Sequence, residues 1–349
     1  MGIYIKGAGV ISIQEPLSEE GVFHPLAYTT PQVRCMEPEF RKYIDPMAAR
    51  RMSRIVKRAV VSAAVALENS GISMPDAIIS GTGLGCVEDT EKFLDAMVRQ
   101  GEYCLQPTFF IQSTHNTISS QIAIRLKCRG YNNTHVHRGI SFESALLDAW
   151  LLFAKGQIHS ALVGGYDELT PTYFRLLGRL GYWRETVTDS LQIVRELAEG
   201  TFAGEGSVCF ALSDESTGAW GQLEGVSIAY RCPDFMQAAE HFLACCGIGW
   251  EGVDVVMTGL NGDRRNDAVY RQLQLPDAQK RAVYKPVCGE FFTAPAYGMY
   301  VAAVALKNGV LPASLSESGA AVEGIRRILL LNHWDGKDYS FILLSSCGN

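Results

Sequence analysis

The stretch NNTHVHRGISFESALLDAWLLFAKGQIHSALVGGYDE, residues 132–168, contains the pattern that decides the fold. An extended run over 131–138 meets Gly139, and a helix is predicted directly after it. The apolar side chains of this helix recur on one stripe, namely Phe142, Ala145, Leu146, Ala149, Leu152 and Phe153. A second strand is predicted over 161–165. A strand that breaks directly into a helix places its turn residue at the N-terminus of that helix.

Gly139 occupies this turn. Exposed N–H groups and the helix dipole at such a position lower the pKa of a thiol and stabilise an oxyanion. The local pattern is therefore typical of an acyl-transfer site. Glycine can hold a strained turn, but it offers no atom that could be acylated.

The composition bounds the class of protein. The chain has 349 residues, of which 47% are hydrophobic and 19% are charged, as in an ordinary globular protein. A net charge of -6 and a pI near 5.7 argue against general nucleic-acid binding. No apolar run reaches membrane-spanning length. The opening MGIYIKGAGVIS resembles a strand and lacks the features of a signal peptide, so we expect a cytoplasmic protein.

The ten cysteines predict neither a metal site nor a disulfide framework. They contain no C-x-x-C pair and lie mostly in apolar runs, where a free cysteine acts as a small buried hydrophobe; their positions are 35, 86, 104, 128, 209, 232, 245, 246, 288 and 347. H-E-x-x-H and phosphate-loop motifs are also missing from the sequence. We therefore expect no metal and no cofactor.

Strand and helix signals alternate along the chain, which indicates an α/β protein. Helices are predicted over 53–69, with Gly71 as the C-cap, over 117–127 and over 294–307. A strand is predicted over 282–287, and 170–200 is predicted to be irregular. The buried run 76–85 ends in GTGLG, which we interpret as a tight turn under a packed helix, because its lone G-x-G is weak evidence for a dinucleotide.

The second half of the chain repeats this order more compactly. A strand over 223–230 precedes a helix that Asp234 is placed to cap, and another strand over 253–258 ends in GLNGD. The chain closes with two apolar strands around a polar turn. This repetition predicts two intertwined halves, 1–216 and 217–349, of one duplicated unit.

The motifs together resemble the β-ketoacyl synthases of the thiolase superfamily along nearly the whole chain. The turn at Gly139 followed by LVGGYDE resembles the nucleophile elbow and its V-A-G-G-x-E segment. FAGEGSVCFAL resembles the family's G-E-G turn, VYKPVCGEFFTAPAYG its K-x-x-x-G-H segment, and LLLNHWDGKDYSFILL its final strand pair. The resemblance implies a five-layered αβαβα fold with two pseudo-repeated halves.

Each catalytic position of the family is changed in this chain. The resemblance places the cysteine nucleophile at Gly139 and the two catalytic histidines at Thr258 and Glu290, while Lys285 is retained. The glycine-rich terminal turn of active enzymes is replaced by HWDGKD. An ionised carboxylate would repel a developing enolate. We therefore expect no catalytic residue, and we expect Lys285 and Glu290 to form an ion pair that seals the former site.

This pattern resembles the chain length factor, the catalytically silent partner of an active ketosynthase in type II polyketide systems. The resemblance implies a heterodimer with an active ketosynthase, in which this chain shapes the acyl tunnel. It also implies an acyl carrier protein that delivers the substrates. The short chain and its STHNTIS segment look most like the subunits of aryl polyene and dialkylresorcinol-type clusters.

An enzymatic alternative stays open at this stage. Ser141 follows the turn by two residues and Cys288 precedes Gly289, so either could act as a nucleophile in an atypical acyltransferase or condensing enzyme. We favour a helix N-cap role for Ser141, because G-I-S-F-E lacks the second glycine of a hydrolase elbow. For Cys288 we favour burial at a strand end. A homodimeric binding protein is the third alternative.

Six residues are candidates for the interface with the partner or for the acyl tunnel. Alternation along one strand predicts that His135 and His137 share a face, where we expect hydrogen bonds across a dimer interface. By resemblance, the segment before residue 117 reaches the acyl pocket of the partner, through Phe109, Phe110, His115 and Asn116. For this aromatic pair, core packing and tunnel lining are equally favoured.

Overall fold

The computed structural model describes residues 2–17, 23–103, 105–277 and 279–347. Twelve strands and eleven helices are found in these ranges. The strands are β1 Ile3–Ile11, β2 Ala77–Gly81, β3 Tyr131–His135, β4 Ser160–Asp167, β5 Gly206–Ser213, β6 Gly221–Tyr230, β7 Val255–Thr258, β8 Lys280–Val283, β9 Val310–Leu311, β10 Val322–Glu323, β11 Arg327–Trp334 and β12 Asp338–Ser345. The helices are α1 Pro46–Ala49, α2 Arg54–Ser70, α3 Val87–Gln100, α4 Pro107–Ser113, α5 Thr117–Leu126, α6 Ser141–Ala154, α7 Pro171–Arg179, α8 Phe235–Cys245, α9 Arg264–Arg271, α10 Lys285–Cys288 and α11 Ala294–Asn308.

Ten strands form one continuous sheet, whose two halves are joined where β1 pairs with β6. Their order is β3-β2-β4-β5-β1-β6-β12-β11-β7-β8, with β1 and β6 antiparallel at the junction. The first five strands all precede residue 214, and the last five all follow residue 220. Within each half, three parallel strands lie toward the outer edge: β3, β2 and β4 in the first half, and β8, β7 and β11 in the second. The order of strands in one half thus mirrors that in the other.

Two helices fill the space between the sheet halves. Alternate side chains of strands from both halves form one core with α6 and α11, as period-2 alternation requires. The opposite faces pack against α2 and α5 on one side and against α8 and α9 on the other. The layers are therefore helix, sheet, helix, sheet, helix, which is the five-layered αβαβα arrangement expected from the sequence.

Local sequence signals account for several element boundaries. The predicted helix over 53–69 is α2, and Gly71 ends it in the left-handed conformation (φ 71°). Asp234 caps α8 by accepting a hydrogen bond from the Gln237 N–H. The stretch 170–200 is less irregular than predicted, because Thr170 caps helix α7 and Pro171 begins it.

The strand predicted over 282–287 is wrong in its second half. β8 ends at Val283, and Lys285–Cys288 forms the helical turn α10. Pro286 has no N–H to donate to a neighbouring strand, and its fixed φ suits a first helical turn. Cys288 is accordingly buried in a helix and not at a strand end.

The described cysteines are all free. Four are buried, as expected, at positions 35, 86, 209 and 288, whereas Cys245 is exposed on α8. Cys104 lies outside the described residues. Across the described ranges, every helix falls short of the combined length and hydropathy that a bilayer-crossing segment requires.

Candidate functional site

The turn predicted at Gly139 lies between β3 and α6, at the centre of the molecule. β3 ends at His135, and a single 3-10 turn over Arg138–Ile140 leads into α6. The positive φ of this turn belongs to Arg138 (49°), and Gly139 itself is not in the left-handed region. Backbone conformation therefore does not require a glycine at position 139.

Space requires the glycine instead. A Cβ atom at Gly139 would lie 2.5 Å from Cδ2 and 2.7 Å from Cγ of Trp334, and closer still to its Cε3. The indole ring of Trp334 therefore occupies the direction in which a side chain at position 139 would extend. A nucleophile and this tryptophan cannot share the site without a rearrangement.

Phe292 extends the aromatic packing around the turn. Its ring centroid lies 4.9 Å from that of Trp334, and its side chain in turn fills the space beside Gly83. The cavity that these rings line has a volume of only about 30 Å³. Such a volume holds about one water molecule, so an acyl chain does not fit there in this conformation.

Asn332 connects the turn to the second half of the molecule. Its Nδ2 donates to the Gly139 carbonyl (3.2 Å) and to Oε1 of Glu143 (2.9 Å). Its Oδ1 accepts hydrogen bonds from the hydroxyl groups of Tyr270 (3.3 Å) and Tyr284 (3.4 Å). All four of these partners are buried, so the amide fixes the turn relative to both sheet halves.

Glu143 is an unusual buried acid directly under the turn. It is fully buried, and its Oε1 also accepts a hydrogen bond from the Ser340 hydroxyl at 2.7 Å. Its Oε2 has no hydrogen-bond partner among the described residues. Burial raises the pKa of this carboxyl to about 7, although the bonds from Ser340 and Asn332 and the charge of Lys285 act in the opposite direction.

The predicted ion pair between Lys285 and Glu290 is present. Nζ of Lys285 donates to both carboxylate oxygens of Glu290, at 2.8 and 3.0 Å, and both side chains are almost fully buried. Asn261 Nδ2 donates to Oε2 at 2.5 Å. The carboxylate thus has charge-assisted donors on both oxygens, as a buried ion requires.

Thr258 does not face this site. Val256 and Thr258 lie on the face of β7 that points away from the central helices, and the Thr258 side chain lines a different cavity. The next residue, Gly259, faces the centre: a Cβ there would lie 2.5 Å from the Tyr270 hydroxyl and 3.1 Å from Cε of Lys285. The structure therefore brings Gly139, Lys285 and Glu290 toward one centre. The family resemblance placed the first catalytic histidine at Thr258, but it is Gly259 that faces this centre.

Neither alternative nucleophile is arranged for catalysis. Ser141 is the first residue of α6 and does not cap it; its hydroxyl donates to the Arg138 carbonyl and accepts from the His137 N–H, both at 2.7 Å. Cys288 is fully buried, its Sγ donates to the Gly289 carbonyl at 3.3 Å, and burial raises its thiol pKa far above the usual value.

The two histidines before the turn are not on one strand face. His135 ends β3, and its Nε2 lies 2.9 Å from Oδ2 of Asp148, whereas His137 lies beyond the strand, 3.4 Å from the Ser144 hydroxyl. The sequence analysis predicted hydrogen bonds of these histidines across a dimer interface and did not predict these contacts within the chain. Within the described residues, no three histidine, cysteine or carboxylate side chains converge as a metal site requires.

The aromatic pair Phe109 and Phe110 lies on the short helix α4, and the other two interface candidates, His115 and Asn116, lie between α4 and α5. Phe110 on α4 is 57% exposed and packs against Phe93 of α3, with ring centroids 5.4 Å apart. Phe109 is partly buried, and His115 and Asn116 are exposed immediately before α5. None of these four side chains lines the small cavity beside Trp334.

Comparison with known proteins now assigns the family. A sequence profile of the β-ketoacyl synthase N-terminal domain matches residues 20–217. The chain belongs to the β-ketoacyl synthase family. A comparison with curated proteins gives no significant match.

Solved structures of this family share the fold over the whole chain. The ishigamide ketosynthase/chain length factor is similar with a TM-score of 0.82 and 18% identity, covering 99% of both chains. The structure of the ketosynthase ApeO with its chain length factor ApeC from Xenorhabdus doucetiae gives 0.75 and 16%, over 99% of this chain and 98% of that one. The AntDE:AntF complex of a type II ketosynthase with its acyl-carrier protein gives 0.76 and 13%, over 99% of both chains. At these identities the matches establish the shared thiolase-like fold.

Proposed function

We propose that this β-ketoacyl synthase family member is a non-catalytic subunit, similar to a chain length factor. In this proposal it pairs with an active β-ketoacyl-ACP synthase and shapes the acyl tunnel of that enzyme during polyketide, aryl polyene or related chain elongation. An acyl carrier protein brings the acyl and malonyl groups to the pair. The two halves, 1–216 and 217–349, act as one intertwined unit.

The proposal rests on the turn at Gly139, where the Trp334 ring fills the space of a side chain. Gly139 lacks a nucleophilic atom, and the Trp334 ring occupies the space that such a side chain would need. Where an oxyanion would require donors, Lys285 is already paired with the Glu290 carboxylate. Condensation requires a nucleophile, and Gly139 provides no side-chain atom that could act as one.

A heterodimer is supported by the surface beside the turn. β3 lies at the end of the sheet and pairs on one side only among the described residues, so its other edge is available for an intermolecular strand pairing. Large apolar side chains are exposed on β3 and just after it, and also on α3 and α4, which pack toward β3 through α5; they are Tyr131, Val136, Leu94, Val98, Phe110 and Ile111. Exposed apolar groups around an unpaired edge are typical of a protein interface.

The runner-up is an atypical acyltransferase or condensing enzyme that uses Ser141 or Cys288. Both side chains are fully buried, and within the described part of the chain the Ser141 hydroxyl bonds only to backbone groups of the turn. A nucleophile needs an adjacent base and access to the substrate. This geometry favours the non-catalytic subunit.

Co-purification with a candidate ketosynthase tests the proposal. An affinity tag on the full chain should retain the ketosynthase in a 1:1 complex, and elongation from carrier-bound malonyl groups should require both chains. Phe110→Asp should weaken the complex, whereas Leu197→Asp, which changes an equally exposed side chain outside this surface, should not. A stable homodimer that binds none of the candidate ketosynthases would contradict the proposal.

A further inference from the structure

The segment that contains the free edge of the sheet has an unusual charge pattern. Residues 103–142 contain no aspartate and no glutamate, and this is the longest such interval in the chain, although the chain has 37 acidic residues and a net charge of -6. Its lysines and arginines are Arg125, Lys127, Arg129 and Arg138. Because this interval includes α4, α5, β3 and the turn before α6, the edge at β3 is basic on a protein that is acidic overall.

Basic groups lie at both ends of β3. Lys127 and Arg129 precede the strand, and His137 and Arg138 follow it; all four are exposed. None of the ion pairs found within the described ranges includes Lys127, Arg129 or Arg138. These positive charges are therefore available to a partner.

The carboxylates that lie near β3 are already engaged. Oδ2 of Asp148 on α6 accepts hydrogen bonds from the Tyr131 hydroxyl (3.0 Å) and from Asn133 Nδ2 (3.1 Å). The same oxygen lies 2.9 Å from Nε2 of His135, so alternate residues of the strand converge on it. The carboxylate of Asp76 is bound by N–H groups at the start of β4. Neither carboxylate forms an ion pair with a basic group at the ends of β3.

A second copy of this chain does not suit such an edge. Two identical chains related by a two-fold axis pair their edge strands antiparallel, so the start of one β3 lies beside the end of the other. When the pairing is centred on Asn133, residues four positions before and four positions after it lie opposite each other, which are 129 and 137. At a strand spacing of about 4.8 Å, Arg129 of one copy and Arg138 of the other lie within the Debye length of about 8 Å. The two-fold axis creates this contact between like charges twice.

We propose that β3 pairs with an edge strand of a different protein that carries carboxylates at both ends, and that its own basic ends disfavour pairing with a second copy of this chain. The inference rests on the proposed function, in which the different protein is the active ketosynthase. Opposite charges across a pair of strands stabilise it and fix its orientation, and like charges suppress the wrong partner. An exposed edge strand otherwise offers its backbone groups to any other edge, so the charged ends supply specificity.

Charge reversal in the chain alone, followed by sedimentation equilibrium, tests the effect on self-pairing. The unmodified chain should be a monomer. Arg129→Glu places a carboxylate beside Arg138 of the second copy at both ends of the pair, so it should strengthen self-association at least tenfold. Adding Arg138→Glu makes the charges alike again and should return the chain to a monomer. Arg326→Glu makes the same charge change at an exposed residue before β11 and should remain monomeric.

Surface plasmon resonance with the co-purified ketosynthase tests the choice of partner. The double variant Arg129→Glu with Arg138→Glu should raise the Kd at least tenfold, whereas Arg326→Glu should stay within twofold of the unmodified chain. Binding of the unmodified chain should also weaken as the salt concentration rises from about 0.05 to about 0.5 M, because salt screens exposed charges. Circular dichroism establishes that each variant is folded.

Three results would overturn the inference. They are a stable dimer of the unmodified chain, no gain in self-association for Arg129→Glu over Arg326→Glu, and full affinity of the folded double variant for the ketosynthase. If the double variant does not fold, the salt series on the unmodified chain decides, and an affinity that is independent of salt would overturn the inference. Failure of the proposed function differs from all of these, because no ketosynthase would then bind the unmodified chain.

Discussion

The contact between position 139 and Trp334 predicts a specific double-mutant cycle. Gly139→Ala adds one Cβ atom that lies about 0.9 Å inside the 3.4 Å limit of ordinary contact with Cδ2 of Trp334, and closer still to its Cε3. Overpacking of this kind costs about 1–3 kcal/mol of unfolding free energy. Trp334→Ala removes a partly buried ring and should destabilise by about 2–4 kcal/mol through lost burial.

In the double variant the added methyl group enters space that the ring has left. Its destabilisation should therefore be smaller than the sum of the single effects by about 1–3 kcal/mol, which is the size expected for residues in contact. Urea unfolding of the parent chain, the two single variants and the double variant measures this coupling. Unfolding is followed by far-ultraviolet circular dichroism, which does not rely on tryptophan fluorescence. Gly178→Ala is the matched control, because a Cβ there meets only Trp183 at an ordinary 3.6 Å.

Either of two results would contradict a steric contact between position 139 and Trp334. If Gly139→Ala is as stable as the parent chain, the indole ring does not fill the direction of the missing side chain. If the single effects simply add, the two positions are not in contact. Either result would remove the steric part of the argument against a nucleophile at this turn.

Three further predictions concern the buried charges and the surface. Lys285→Met should destabilise the chain by about 3–5 kcal/mol, because it leaves the buried Glu290 carboxylate unpaired, and adding Glu290→Gln should recover most of the loss in urea unfolding. The folded pKa of Glu143 is about 7, above the ordinary 4.5, so the folded state binds the proton more tightly and stability should fall as pH rises from 5 to 8. The fall attributable to this group is about 3 kcal/mol, and Glu143→Gln should abolish it; equal pH profiles of the two proteins would contradict the assignment. Phe110→Asp should raise the Kd for a ketosynthase partner at least tenfold by surface plasmon resonance, with Leu197→Asp within twofold of the parent.

The elements that sequence analysis predicted well depend on local patterns. The helix after Gly139 follows from a 3.6-residue apolar period, and the cap of α8 follows from the aspartate just before it. The Lys285–Glu290 pair joins residues only five apart, across one turn. Interactions of this range are encoded within a short window of sequence.

The interactions that sequence analysis missed join distant residues. Trp334 and Gly139 lie in different halves, and nothing in either segment indicates that an indole ring fills the space at the turn. The replacement of a glycine-rich turn by HWDGKD was the only available signal. Asn332, Glu143 and Tyr270 likewise meet only because strands from both halves close around the central helices.

The difference at Thr258 has a different cause. Side chains on a strand alternate between faces, so an error of one residue in matching a motif moves the predicted side chain to the opposite face. Matching the glycine after Thr258 to the glycine of the family motif placed Thr258 at the centre, whereas the structure points Gly259 there. Sequence spacing at the end of a strand cannot resolve such a shift.

The central proposal is that this chain does not form an acyl intermediate during elongation, and intact-mass spectrometry tests it most directly. The full chain and its co-purified ketosynthase are incubated together with acyl- and malonyl-loaded carrier protein, and each chain is weighed. The account predicts an acyl adduct on the ketosynthase and an unchanged mass for this chain. A stoichiometric acyl adduct on this chain, at Ser141, Cys288 or any other residue, would contradict it.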